Sequence, residues 1–242
     1  MKYFIDTEFI EGFHKPLFGK RRHFIDLISI GIVCEDGRTG YYLSSEYNYN
    51  DADKWVQENV ILPLYLEKVH GDNRNIYSVS NFHKRYGHDL DMIKTFILGF
   101  VDDKARQDRD WEYFGVHHPR KPDLAPEFYA YYADYDWVVF CSLFGRMVDL
   151  PNGFPMYCKD LKQMLDDFVT EKWLPDSKSY MQGTGVDVTF DLALEKLKGL
   201  DEYPKQENEH SALDDAIWNM KLYNFLQTML KDVFGKRLSS IK

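Results

Sequence analysis

Three strand-like runs follow one another at the start of the chain with no helical spacing read between them, and this constrains the fold more than any other feature. Lys2 to Ile5 is aromatic and β-branched and runs into Asp6-Thr7-Glu8. Ile25 to Cys34 is almost continuously apolar, and Thr39 to Leu43 follows a turn at Gly37. Strands joined so closely pair as an antiparallel meander. The pattern then changes to helical spacing. Residues 51–68 read as a helix interrupted by Pro63. Residues 90–101 read as a second, with Met92, Ile93, Phe96, Ile97 and Phe100 on one stripe. Phe128 to Tyr132 reads as a fourth strand, Asp134 to Val148 as a helix and Pro155 to Cys158 as a fifth strand. Asp160 caps a helix from Leu161 to Val169, an amphipathic segment surrounds Leu192 to Leu197, and Ser211 to Lys231 forms a long amphipathic helix. The expected class is α/β: a mixed five-stranded sheet with helices on both faces.

Residues 1–242, 44% of them hydrophobic, are read as a single domain, with an irregular insertion over 102–126 and a basic tail over 236–242. The net charge of -9 argues against a protein that coats duplex nucleic acid, but not against an enzyme with a narrow, metal-filled acidic site. Cys34, Cys141 and Cys158 are too few and too scattered for a disulfide framework or a zinc motif, so free thiols in a reducing compartment are expected. No apolar run reaches membrane-spanning length, and Met1 to Asp6 lacks the apolar region of a signal peptide, so a cytoplasmic protein is expected.

The chemistry is concentrated in carboxylates. Asp6 and Glu8 are two apart on a strand and therefore share a face. Such a pair repels itself unless a cation intervenes, and hard oxygen ligands suit Mg²⁺ or Mn²⁺. Far along the chain, His210-Ser211-Ala212-Leu213-Asp214-Asp215 opens the last helix. Ser211 and Asp214 have the spacing of a capping box, which sets Asp215 on the first turn and His210 just outside it. A histidine beside a metal ligand is suited to act as general base. Between these lies Tyr132-Ala133-Asp134-Tyr135-Asp136-Trp137 at a strand-to-helix junction. Asp134 and Asp136 compete here, Asp134 being read as the helix cap and Asp136 as the ligand.

Asp-x-Glu on a first strand, Tyr-Asp at a middle helix and His-x4-Asp opening a late helix together resemble the DEDDh exonucleases of the ribonuclease H-like fold. The early first motif, the length and Cys158-Lys159-Asp160-Leu161 look most like the ribonuclease T-like 3′→5′ exoribonucleases of bacteria and phages. The order and spacing of the motifs span Asp6 to Asp215. Many members carry Asn-Ala-x-Phe-Asp at the middle motif; here it is Tyr132-Ala133-Asp134-Tyr135-Asp136, without the Asn. The resemblance implies a two-metal mechanism with Mg²⁺ or Mn²⁺. Asp6, Glu8, Asp136 and Asp215 would be the ligands, His210 would deprotonate the attacking water, and nucleoside 5′-monophosphates would be released. It also implies that RNA 3′ ends are favoured over DNA, and that a homodimer is an option, since ribonuclease T-like enzymes often pair.

Substrate contacts are expected from Phe9 and Trp137, which neighbour two of the carboxylates, and from the segment 11–23. There Lys15, Lys20, Arg21 and Arg22 stand against Glu11, interleaved with Phe13, His14, Phe18 and His23. Charges on phosphates and rings on bases suit a single strand. Lys20, Arg21 and Arg22 are the candidates from this segment. His117, His118, Arg120 and Lys121 form a second basic run. Two other functions fit the same residues: a 3′→5′ exodeoxyribonuclease, and a catalytically silent binding module on the same fold.

Overall fold

The computed structural model describes residues 1–14, 19–69, 77–107, 125–180 and 187–239. Its core is a five-stranded mixed sheet of order β3-β2-β1-β4-β5. β1 (Lys2–His14), β2 (Arg22–Cys34) and β3 (Thr39–Leu43) form the antiparallel meander. β4 (Glu127–Ala130) and β5 (Lys159–Asp160) add in parallel on the other side of β1. The order puts β1 at the centre, where long apolar side chains can be buried on both faces. Tyr3 and Ile5 pack on one face with β2, α4 (Leu90–Gln107) and α5 (Ala133–Ser142). Phe4 packs on the other with α6 (Leu161–Phe168), α8 (Phe190–Lys198) and α9 (Ala212–Ser239). A third apolar cluster joins Ile10, Ile28 and Leu43 to Val60, Ile61, Leu64 and Phe82, under α1 (Lys54–Val56), α2 (Leu62–Val69) and α3 (His83–Tyr86).

Several boundaries differ from the sequence reading, for physical reasons. The first two strands are longer than expected: Glu11 to His14 pairs with Arg22 to Ile25, so much of the basic segment is hairpin rather than loop. The middle helix stops at Ser142; Gly145 takes a φ of 107° a few residues on, and Val148 is exposed rather than on a core stripe. The fifth strand is Lys159–Asp160, just after the stretch expected, and the fourth ends at Ala130 rather than Tyr132. The helix from residue 90 reaches Gln107, inside the expected insertion; residues 108–124, with His117, His118, Arg120 and Lys121, lie outside the described residues. The last helix extends to Ser239, into the expected tail.

Pro63 does not break its helix. The ladder widens to a π-turn over Gln57–Ile61 just before Leu62-Pro63, with Leu62 N–H bonding to Gln57 five residues back. The same device recurs before Leu174-Pro175, where Val169–Trp173 is a π-turn between α6 and α7 (Leu174–Tyr180). Proline lacks the N–H and clashes with the carbonyl four residues back; shifting the ladder by one residue relieves both. Among the described residues, no helix is long and apolar enough to cross a membrane.

Candidate active site

Strand alternation sets Phe4, Asp6 and Glu8 on the face of β1 that meets α9. Opposite Asp6 on β2 stands Gly31. A Cβ at this glycine would lie 2.1 Å from the Ala212 carbonyl oxygen, so only glycine lets the first turn of α9 rest directly on the sheet. That close approach delivers Asp215. Ligand oxygens of Asp6, Glu8 and Asp215 all lie within 4.8 Å of one another, although more than two hundred positions separate the first and last.

The turn before α9 holds the Asp215 carboxylate by two donors: Gln206 Nε2 at 2.6 Å and the His210 backbone N–H at 2.9 Å. To make the second bond, His210 adopts a φ of 69°, and Asn208 nearby has 51°. Left-handed backbone at a non-glycine residue costs about 1–2 kcal/mol, a cost the hydrogen bond to a carboxylate offsets. Trp218 Nε1 donates to Pro204 O and ties down the start of this turn. The His210 ring lies edge-on to the half-exposed Trp55, with centroids 4.8 Å apart.

Asp136 reaches the site from α5. Thr7, on the opposite face of β1 from Asp6 and Glu8, donates both its N–H (2.8 Å) and its hydroxyl (2.6 Å) to Asp136 Oδ1. Asp136 is 6% exposed and faces the cleft. Its rival Asp134 is exposed and does not line the cleft. Nor is Asp134 the helix cap: Tyr132 is, in left-handed conformation, and the first helical N–H, that of Ala133, is taken by Asp160. Asp160 thus caps α5 as well as its own helix α6, whose Lys162 and Gln163 N–H groups also bond to it. Asp136 stands outside the tight group of three carboxylates, and one of its oxygens is held by Thr7.

Burial and mutual repulsion push these acids upward. Glu8 is raised from 4.5 to about 8, by burial first and then by Asp215 and Asp136. Asp136 is raised from 3.8 to about 7 by burial, against the pull of the Thr7 hydrogen bonds. Asp6 is raised well above the carboxylate range by burial, then by Asp136, Glu8 and Asp215. Asp215 is also raised by burial, with Gln206 and His210 opposing. Positive charge placed among these groups would relieve the repulsion. The donors are all hard oxygens with no nitrogen or sulfur among the three, so Mg²⁺ or Mn²⁺ fits and zinc fits less well.

The carboxylates open into a cleft of about 340 Å³ with an aromatic wall: Phe9, Tyr131, Tyr132, Tyr135 and Trp218. Phe9 stacks on Tyr135 with centroids 5.7 Å apart and planes 7° from parallel. The β1–β2 register shifts between Glu8 and Phe9, where β2 carries the extra residue Ile28, and both Glu8 and Phe9 line the cleft. Trp137 is not part of the wall. It is 8% exposed, stacked on Phe140 at 5.0 Å, and belongs to the core; the aromatic of α5 that lines the cleft is Tyr135, two residues earlier. Lys20, Arg21 and Arg22 are exposed on the distal part of the β1–β2 hairpin and do not line the cleft. Arg21 lies over Phe13 at 4.6 Å, and on the same hairpin Glu11, which does line the cleft, pairs with His23 at 3.0 Å. Lys15 falls outside the described residues. Thr7, Gln206 and Asn219 were missed from sequence, because single polar residues carry no local signal of what they will meet.

The chain matches no family model. It is 29% identical over 169 residues to two curated proteins from strains of Mycobacterium tuberculosis, each named 3′-5′ exoribonuclease. The similar region covers 69% of this chain and 75% of each relative.

Proposed function

We propose that this chain is a metal-dependent 3′→5′ exoribonuclease of the DEDDh type on a ribonuclease H-like domain. It would hydrolyse terminal phosphodiesters of single-stranded RNA or RNA 3′ overhangs to 5′-monophosphates. The observation that carries this reading is the convergence of Asp6, Glu8 and Asp215 within 4.8 Å at the base of an aromatic-walled cleft. The similarity to relatives named 3′-5′ exoribonuclease supports the direction and the substrate.

In this reading Asp6, Glu8 and Asp215 hold the cations, and Asp136 completes the set from the Thr7 side. Divalent cations bound there supply Lewis acidity at the scissile phosphate and make water a better nucleophile near neutral pH. His210, which lines the cleft and whose backbone N–H is tied to Asp215, accepts the proton of the attacking water. Phe9 and Tyr135 stack on the terminal bases, and Lys20, Arg21 and Arg22 draw the incoming strand along the hairpin. Local charge of this kind matters in a chain whose net charge of -9 repels RNA as a whole.

The test is release of 5′-monophosphates from matched 3′-labelled RNA and DNA oligonucleotides with Mg²⁺ or Mn²⁺. RNA is expected to be degraded faster, and Asp6→Asn is expected to be inactive yet folded. Faster DNA degradation would make the chain an exodeoxyribonuclease; no release from either substrate, or full activity in Asp6→Asn, would overturn the reading.

A further inference from the structure

We propose that Asn219 is a positioning residue for the carboxylate cluster, clamping β1 to α9 at the separation that cation binding requires. This rests on the metal-dependent reading above. Asn219 is 1% exposed, and its Nδ2 donates to the Ile5 carbonyl at 2.9 Å across 214 positions of sequence. The Ile5 carbonyl belongs to the same peptide group as the Asp6 nitrogen, so the bond grips the backbone at one ligand. Asn219 stands four residues after Asp215, one helical turn on, and so shares its face. A single turn of α9 therefore carries one ligand and the clamp for another.

The topology explains why this carbonyl is available. The Lys2 carbonyl accepts from Glu35 N–H on the β2 side. Carbonyls alternate along a strand, so that of Ile5 points towards β4. Pairing with β4 stops at Phe4–Tyr129, leaving Ile5 O without a strand partner one residue before Asp6. Asn219 takes the place of the missing strand. A leucine would fill nearly the same volume but would bury the carbonyl unpaired, which is unfavourable. With Gly31 admitting α9 to the sheet and Asn219 fastening it, the Asp6–Asp215 separation is held from both strands of the central pair.

The experiment uses the full chain carrying Asn219→Leu, which removes the donor, or Asn219→Ser, which leaves room for a bridging water and keeps the fold. Mn²⁺ affinity is read by calorimetric titration, and exonuclease rate is followed against Mn²⁺ concentration. Supporting groups of metal ligands typically change affinity by about 10–100-fold. Both variants are expected to bind Mn²⁺ at least roughly tenfold more weakly, with oligonucleotide KM nearly unchanged and the lost rate recovered at high Mn²⁺. Wild-type Mn²⁺ affinity in a folded variant would overturn the inference, as would a rate loss that Mn²⁺ does not recover, since that marks a merely structural bond. If the wild-type chain binds Mn²⁺ but releases no nucleotide, the nuclease reading fails while the clamp is still judged by the titration.

Discussion

Tyr135 and Trp137 are both aromatic, both on α5 and only two residues apart, yet they have opposite environments. Tyr135 is 46% exposed in the cleft wall, whereas Trp137 is packed against Phe128 and Phe140. Helical geometry turns successive residues by about 100°, so two steps carry a side chain to nearly the opposite face. The two substitutions should separate cleanly. Tyr135→Ala is expected to weaken oligonucleotide binding roughly tenfold with little change in melting temperature, since stacking on a base is worth about 1–3 kcal/mol. Trp137→Ala is expected to cost about 3–5 kcal/mol of stability, as large aromatic deletions in cores do. Binding titrations and denaturant melts of the two variants check this. A Trp137 variant that is stable but loses RNA affinity would return that residue to the substrate site.

At the level of elements, the site depends on how closely α9 approaches β1 and β2. Gly31 is the point of contact, and the atoms a Cβ would meet are backbone, which cannot rotate away. Gly31→Ala is therefore expected to push the N-terminal turn of α9 outward, costing about 3 kcal/mol or more, at the upper end for an overpacked site. It should also weaken Mn²⁺ binding, because Asp215 moves with the helix. A variant with normal stability and normal Mn²⁺ affinity would show that the helix can shift without disturbing the carboxylates. The contrast with Gly37 is instructive: that residue has a φ of 92° with open space around it, so its glycine serves the turn rather than a contact.

Across the whole molecule, the carboxylates make stability depend on pH in an unusual direction. Glu8 and Asp136 are raised to about 8 and about 7, so the folded chain holds protons that the unfolded chain releases above about pH 4. Stability from these groups is complete below the unfolded values and is lost as pH rises through the folded ones. The metal-free protein is expected to melt at progressively lower temperature between about pH 5 and pH 8. Mn²⁺ should flatten that slope, because a bound cation takes the place of the protons. Melting curves at several pH values with EDTA or Mn²⁺ test this; a metal-free melting temperature that rises steadily to pH 8 would mean that the acids ionise without strain.

The sequence by itself determined the mixed sheet and its opening meander, because apolar periodicity and turn residues act locally. It also singled out Asp6, Glu8, His210 and Asp215, which the structure brings to one cleft, since strand alternation and a helix start are short-range patterns that put side chains on a known face. Only the tertiary structure decided between Asp134 and Asp136 as the residue that faces the cleft, through the grip of Thr7 on one of them. Only it set Tyr135 in the cleft and Trp137 in the core, and only it revealed Gly31, Gln206 and Asn219. The reason is physical. Each of these depends on which atoms a distant segment brings within hydrogen-bonding or van der Waals distance, and for Asn219 that partner lies 214 positions away. No local periodicity encodes a contact of that range; it exists only once α9 has closed on the sheet.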